Sequence, residues 1–382
     1  MSKVFVGKCD SYNSDLVKAQ VRRIFDELNV SDKIFKGAKV AIKPNLLMKK
    51  DISTATTTHP VVLEQVILYL QNLGAEVVIV ESPGGPYNKT MLKRVYDGCG
   101  ITEVAERTGA TLNYDLSQSE ADVENFSMMK KVTVLSPLVD ADVVINIAKL
   151  KTHGMMVYTG AVKNMFGSVP GVLKAEYHMR YPDYNNFANA LIDVFLAIKP
   201  SINLIDGIDG MEGHGPSSGT VRHIGVIMGS EDAFSMDVVA TNIIGLDVER
   251  IPILNCAVER NICPKNISEV ELCGDISKDF KLDNYEMPNI ETSAILNVQG
   301  SKVFGWISKY LVPKPKVIKT GCVGCGECAS SCPAKTIEMK DKKAIIDTSK
   351  CIKCFCCQEL CPKGTIKIVK PMVSKLIFGN RR

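Results

Sequence analysis

The sequence predicts an α/β fold with a largely parallel sheet and flanking helices, followed by a small C-terminal α+β module. Two observations carry this. The first 300 residues alternate short apolar runs, several rich in Val and Ile, with helix-like segments. Near the C-terminus one cysteine spacing occurs twice. A length of 382 residues leaves room for one large or two medium domains beside that module.

Strands are predicted over 3–7, 38–42, 76–80, 111–114, 143–147 and 203–205. Helical patterns separate several of them. Over 61–73 the apolar residues recur on one face, and Gly74 supplies the stop. Further strands are expected over 224–228 and 270–273, with a helix over 236–244 between them. This gives an α/β domain over 1–300. A linker over 301–318, marked by Pro313 and Pro315, leads to a cysteine module over 319–370. The basic tail over 371–382 is expected to pack back as a short amphipathic helix, with Met372, Val373, Leu376, Ile377 and Phe378 as its apolar residues.

In that module Cys322, Cys325, Cys328 and Cys332 precede Pro333, and Cys351, Cys354, Cys357 and Cys361 precede Pro362. Each run reads C-x₂-C-x₂-C-x₃-C-P, the spacing that holds a cubane cluster in bacterial two-cluster ferredoxins. Three close thiolates fold round one cluster, and the fourth is carried by the turn to the other. Crossed ligation gives Cys322, Cys325, Cys328 and Cys361 to one [4Fe–4S] cluster. Cys351, Cys354, Cys357 and Cys332 go to the second. The runs repeat with an offset of 29 residues, which also aligns Thr336 with Thr365 and Ile337 with Ile366. Cys356 falls off the repeat, opposite Glu327, and is excluded as a ligand. A disulfide framework or a pair of zinc sites is the competing reading; neither suits four-cysteine runs closed by proline, and nothing suggests secretion.

Composition narrows the class. Hydrophobic residues make up 46% and charged residues 23%, an ordinary globular balance. There is no signal-like N-terminus and no apolar run of about 18 residues, so a soluble, cytoplasmic protein is expected, without a membrane partner. Exposed low-potential clusters suit an anaerobic or strongly reducing cytosol. The six cysteines outside the ligand set are expected to be reduced, buried small hydrophobes. From 311 onward the chain carries 15 Lys and Arg against 5 Asp and Glu, while the preceding residues are net acidic. That surplus fits steering of an acidic redox partner. Nucleic acid is not expected, because no aromatic platform or groove-binding motif accompanies the charge.

In open α/β sheets, ligands sit beyond the carboxyl ends of the strands. The turns expected there hold Lys43-Pro44-Asn45, Glu81-Ser82-Pro83-Gly84-Gly85, Lys149 to His153, Thr159 to Asn164, Asp206 and Met211 to Pro216. Four of the five histidines (His59, His153, His178, His214) lie in or near them. Ser82 to Gly85 is not a Walker loop and no G-x-G-x-x-G opens a helix, so a nucleotide is not indicated. The convergence of such turns on one sheet edge predicts a polar pocket. Lys43, Lys151 and Lys163 would neutralise an anionic small-molecule substrate or cofactor, with Asn45 and Asn164 beside them. His153 is the first candidate proton donor, Glu212 and His214 the second, and Asp206 an orienting carboxylate.

The segments 41–45, Thr58-His59-Pro60, Lys151-Thr152-His153, 159–167 and 206–216, with Asp237, resemble the family of unknown function numbered 362. Its members are often described as iron–sulfur centre proteins or ferredoxins. The resemblance spans nearly the whole chain and implies an α/β domain with a clostridial-type ferredoxin module, without implying a reaction. A remoter likeness joins Thr56 to Pro60, His153, Lys163, Val169-Pro170-Gly171 and His178 to the nickel-pincer lactate racemases. There, a histidine and a lysine at comparable spacing serve acid/base and cofactor roles. This chain departs from them in having Ser82-Pro83-Gly84-Gly85 where a second acid/base histidine is expected, and in carrying a ferredoxin module.

Two functional classes stand at this level. In one, electrons pass between the clusters and reduce something bound in the α/β pocket, with a second cofactor such as a flavin or a nickel complex left open. In the other, the clusters shuttle electrons between partners and the large domain only docks or regulates. Covalent fusion favours the first, since tethering makes delivery intramolecular.

Overall fold

The computed structural model describes residues 1–287 and 313–369. The predicted tail helix and residues 301–312 of the predicted linker lie outside the described residues. In chain order the strands of the large domain are β1 (Lys3–Lys8), β2 (Lys39–Pro44), β3 (Glu76–Ile79), β4 (Thr111–Leu112), β5 (Gln118–Asp122), β6 (Lys131–Leu135), β7 (Val143–His153), β8 (Val157–Thr159), β9 (Ile202–Glu212), β10 (Thr220–Ser230) and β11 (Glu271–Gly274). Its helices are α1 (Ser14–Glu27), α2 (Pro60–Asn72), α3 (Lys89–Gly98), α4 (Ile101–Thr108), α5 (Ser136–Val139), α6 (Ala161–Asn164), α7 (Gly171–Arg180), α8 (Tyr184–Ile198), α9 (Ala233–Ile243) and α10 (Pro252–Glu259).

One sheet runs in the order β11-β1-β10-β9-β7-β2-β3-β4, with β8 paired to β7. The neighbours β9, β7, β2, β3 and β4 are mutually parallel, and β10 runs antiparallel to both β9 and β1. The hairpin β5–β6, which the sequence pattern missed, forms a separate two-stranded sheet. After β2 the chain moves outward through β3 and β4, then returns to add β7 on the other side of β2. The carboxyl ends of β2 and β7 therefore flank a topological switch point, where such sheets open a crevice.

Alternation along β7 builds both cores. Ile145 and Ile147 pack with Val17, Phe25, Val62 and Val66 of α1 and α2. Ala148 and Leu150 pack with Phe187, Leu191, Val239 and Leu254 of α8, α9 and α10. Helix starts are locally encoded: Asn13 Oδ1 accepts the N–H groups of Asp15 and Leu16, and His59 Nδ1 accepts that of Val61.

The cysteine module is a structural repeat as well as a sequence repeat. Strand β12 (Lys314–Val317), a helical turn (Glu327–Ser330) and β13 (Ile337–Lys340) are followed by β14 (Lys343–Ile346), a second turn (Cys356–Glu359) and β15 (Ile366–Val369). The second set sits 29 residues after the first. The halves interlock, β12 with β15 and β13 with β14. The module therefore begins at β12, inside the predicted 301–318 linker, because Pro315 occupies an edge strand where its missing N–H costs little.

Candidate functional site

Several residues expected in turns lie on strands. Lys149, Lys151 and His153 lie on the carboxyl half of β7, and Asp206 and Glu212 on β9, both of 11 residues. Every residue of β7 is buried. A strand with lysines and histidine at alternate positions can be buried only if those side chains meet partners or a cavity.

A cavity of about 200 Å³ opens at the switch point, and the large domain and the cysteine module wall it together. The sheet side supplies Lys43 from β2, Lys151 and His153 from β7, and Glu81 and Ser82 after β3. Lys163, Asn164, Lys174 and His178 come from α6 and α7. Cys332, Pro333, Cys356, Glu359 and Leu360 of the module close the opposite wall.

Lys43 and Glu81 form a buried pair at 3.2 Å, and Lys43 Nζ also donates to Pro44 O at 2.8 Å. The Glu81 carboxylate accepts the N–H groups of Leu46 and Ser82, at 2.8 and 2.9 Å. Lys151 Nζ donates to Asn45 Oδ1 at 3.0 Å and Thr56 O at 2.7 Å. Two of its three protons are thus placed, and the third is free for the cavity. Burial, aided by the charges of Lys163 and Lys149, lowers its pKa to about 7. Lys174 Nζ donates to the backbone and hydroxyl oxygens of Ser82 and to Pro83 O; burial brings it to about 7 as well. The ammonium of Lys163 has no hydrogen-bond or ion-pair partner among the described residues and stands 6.0 Å from the Phe166 ring centre.

A chain of amides fixes the frame. Asn45 Nδ2 donates to Asn164 Oδ1 at 2.9 Å and Asn164 Nδ2 to Asn146 Oδ1 at 2.7 Å. Asn146 Nδ2 continues the chain to Asn203 Oδ1 at 2.9 Å. The turn carrying Lys163 is clamped by Asp237, whose carboxylate accepts the N–H groups of Ala161 and Val162 at 2.7 and 3.0 Å and the Tyr158 hydroxyl at 3.0 Å.

His153 joins the two modules. Its Nδ1 accepts the N–H groups of Met155 and Met156, both at 3.1 Å, so the neutral ring carries its proton on Nε2. That atom lies 2.9 Å from Glu359 Oε1. Burial and the Lys163 charge outweigh Glu359 and lower the His153 pKa to about 4. The ring is neutral at physiological pH, which makes it a poor general acid. Lys151 is better poised to give up a proton. Burial also lowers His178 to about 4; its Nδ1 finds no partner, and its ring stacks on Phe187 at 4.3 Å.

Of the residues expected at the site, Lys43, Asn45, Lys151, His153, Lys163 and Asn164 meet at the cavity. Three do not. Asp206 is fully buried below it, 2.9 Å from Lys149 Nζ, accepting also from Tyr12 OH and His59 N. Glu212 accepts the Glu286 N–H at 3.0 Å, and His214 is exposed, with only its carbonyl turned toward Gln358 Nε2 at 3.4 Å. The 11-residue β9 carries its polar residues past the cavity instead of turning them into it. Glu81, Lys174, His178, Cys356 and Glu359 had not been assigned to the site. The sequence singles out His178 by its place near a turn and by the racemase likeness, and nothing local signals Glu359.

In the module, Cys322, Cys325, Cys328 and Cys361 line one small void. Cys332, Cys351, Cys354 and Cys357 lie within electrostatic reach of one another. The first set is that of one crossed cluster; the second is compatible with the other, with Cys328 also within reach of Cys357. Among the described residues no three Cys, His, Asp or Glu side chains converge as a single metal ion requires. The aligned threonines have a role here. Thr336 N donates to Cys332 Sγ at 3.4 Å and Thr365 N to Cys361 Sγ at 3.3 Å, the kind of N–H···S contact that tunes a cluster. Cys356 is buried against the cavity, and the half-buried Cys332 lines it as well. Of the other five cysteines, Cys9, Cys99 and Cys256 are buried, whereas Cys263 and Cys273 are only half-buried.

The family described as Domain of unknown function (DUF362) matches residues 40–242, just over half of the chain. The chain belongs to the DUF362 family. The match contains every cavity residue named above from the large domain. A 4Fe-4S dicluster domain matches residues 314–362. Over 290 residues this DUF362 chain is 30% identical to the thylakoid-associated protein sll1697 of Synechocystis, covering 74% of this chain and 87% of that one. Over 39 residues it is 44% identical to a ferredoxin-like protein in the nif region of Sinorhizobium fredii, 10% of this chain and 61% of that one. The lactate racemase apoprotein of Thermoanaerobacterium thermosaccharolyticum superposes with a TM-score of 0.40 at 13% identity, over 62% of this chain and 57% of that one. The C-terminal module of this DUF362 protein binds [4Fe–4S] iron–sulfur, and electron transfer is its chemistry. No helix among the described residues is long and apolar enough to cross a membrane.

Proposed function

We propose that the protein is an iron–sulfur reductase in which two [4Fe–4S] clusters feed electrons to a small anion bound between the two modules. One observation carries the reading: Cys332, assigned by the crossed grouping to the second cluster, lines the same cavity as Lys43, Lys151, Lys163 and His153. Cys322, Cys325, Cys328 and Cys361 would hold the distal cluster. Cys351, Cys354, Cys357 and Cys332 would hold the proximal one. Bound there, the clusters would supply electrons one at a time, two per turnover, to an unsaturated bond that also takes up two protons.

The chain's own residues do the rest. Lys163 offers an unpaired ammonium to an anionic group, and Lys43, held by Glu81, forms a fixed dipole in the cavity wall. Lys151 gives one proton from its free N–H, and solvent entering the cavity mouth supplies the other. His153, neutral and fixed by two backbone donors, sets its Nε2 2.9 Å from Glu359 and so keeps the two walls of the cavity together. Leu46, Leu47, Phe166 and Leu360 line the remaining wall, so the ligand has an apolar body as well as a charge.

The test is anaerobic purification with iron and sulfide analysis, followed by mass spectrometry of small molecules released from the protein. About eight irons and eight sulfides per chain are expected, together with a bound organic anion. The dithionite-reduced protein is then mixed with that molecule, and cluster reoxidation is followed by EPR. Lys163→Met should keep both cluster signals and slow reoxidation at least ten-fold. A variant that turns over at the wild-type rate would remove the cavity from the reaction and leave a carrier.

A further inference from the structure

If electrons leave beside Cys332, they enter elsewhere, and the module has one other redox-active side. The thiols of the distal ring, Cys322, Cys325, Cys328 and Cys361, enclose a void whose remaining walls include Val323, Met339 and Lys363. Its Val323, Cys325 and Met339 stretch is open, whereas Glu327 and Pro362, beside Cys328 and Cys361, meet the large domain through Arg94 and Lys50. Cys325 is exposed, Val323 is 59% exposed and Met339 38%. Ile318, four residues before Cys322, is 44% exposed. An apolar surface beside a redox centre is one that a partner must dry, since short-range electron transfer needs close contact and water loosens it.

Charge surrounds that surface. The described part of the module holds 11 lysines and 5 acidic residues. Two of the acids are committed at the domain seam, Glu327 to Arg94 at 3.3 Å and Glu359 to His153. Lys316, Lys319, Lys340, Lys342 and Lys363 are exposed, against exposed Glu338, Asp341 and Asp347. Lys319 is tied directly to the ring, since its carbonyl accepts the Cys322 N–H, and the backbone of Lys342 packs beside Gly324.

We propose that this face, centred on Val323, Cys325 and Met339 and rimmed by Lys319, Lys342 and Lys363, docks an acidic electron-donor protein that reduces the distal cluster. The apolar centre supplies the dry contact, and the lysines steer the encounter. The inference rests on the two-cluster reading of the module and adds the direction of electron entry.

The experiment uses the full chain, purified with its clusters. Reduction by a pre-reduced acidic ferredoxin is followed in a stopped-flow spectrometer, with dithionite as the small-molecule reductant. The second-order rate with the ferredoxin should fall about ten-fold or more as salt rises from low to physiological ionic strength. The triple variant Lys319→Glu, Lys342→Glu, Lys363→Glu should lose about ten-fold at low salt and keep its dithionite rate. A charge-matched control at Lys18, Lys36 and Lys130, exposed on the large domain, should keep most of the wild-type rate. Equal losses in the two triple variants would reduce the effect to net charge and overturn the assigned face. So would a salt-independent rate, or faster reduction by a basic donor. Oxidation of the dithionite-reduced protein by its cavity ligand tests the reductase reading separately, because no donor protein takes part in it.

Discussion

Glu359 is 206 residues from His153, and its carboxylate lies 2.9 Å from that ring. Burial would raise its pKa, but His153 beside it and the Lys163 charge hold it down to about 2. It stays an acceptor at any working pH. Glu359→Ala removes the acceptor and should slow cluster reoxidation by cavity ligand more than Glu359→Gln, which keeps an amide oxygen for Nε2–H. Equal rates in the two would show that the contact fills space only. His178 offers a pH test. Its ring titrates at about 4 when folded and near 6.5 when unfolded. Between those values the unfolded chain holds the extra proton, so this stability is complete above pH 6.5 and drains as pH falls toward 4. His178→Phe keeps the stack on Phe187 and should flatten that decline by up to about 3 kcal/mol, read from urea melts on either side of the window. The lysines and His153 were legible because each stands in a compact polar motif. Glu359 was not, since no local pattern signals a partner so far along the chain.

At the scale of elements, the motifs were found in the right places with the wrong geometry. Polar residues at 149, 151 and 153 look like a loop, because a half-buried strand normally alternates with solvent. Here β7 alternates between a hydrophobic core and a polar cavity, so its charged side is buried too. Core strands such as β1, β2 and β3 were readable within a residue or two from their Val and Ile runs. The hairpin β5–β6, with Gln118, Glu120 and Asp122 in its first strand, was not. Close packing between elements also sets the cavity floor. A Cβ on Gly167 would fall 2.4 Å from Glu81 Oε1 and 2.5 Å from Lys43 Nζ. Gly167→Ala should therefore separate the Lys43–Glu81 pair, destabilising the protein by a few kcal/mol and weakening binding of the cavity ligand by isothermal titration. An unchanged melting temperature with wild-type affinity would mean that the pair shifts without loss.

At the scale of the molecule, the cysteine repeat was the most legible feature, because its spacing encodes ligation directly and its 29-residue period reappears in turns and strands. Where the module sits was not legible, since spacing carries no information about docking. The crossed grouping makes a sharp prediction. Cys325→Ala should perturb the distal cluster alone, and Cys332→Ala the proximal cluster together with the cavity beside it. Cys356→Ala should leave iron content and both EPR signals unchanged. Loss of a cluster in that last variant would place Cys356 among the ligands.

The turn Cys356–Glu359 has a consequence for assembly. It presses Glu359 and Cys356 against the large domain while Cys357, within it, and Cys361, just after it, belong to different thiol rings. Ser217 Oγ donating to Glu359 O, Gln358 Nε2 reaching His214 O and the His153–Glu359 contact hold that turn to the large domain on one side, and filled thiol rings would brace it on the other. On the proposed function, maturation then becomes a licensing step: a chain released without its inorganic cargo would hold that wall less firmly and retain its ligand less well. Ligand retention should therefore track iron content chain by chain, and damage by oxygen would empty the cavity as it destroys the current that feeds it.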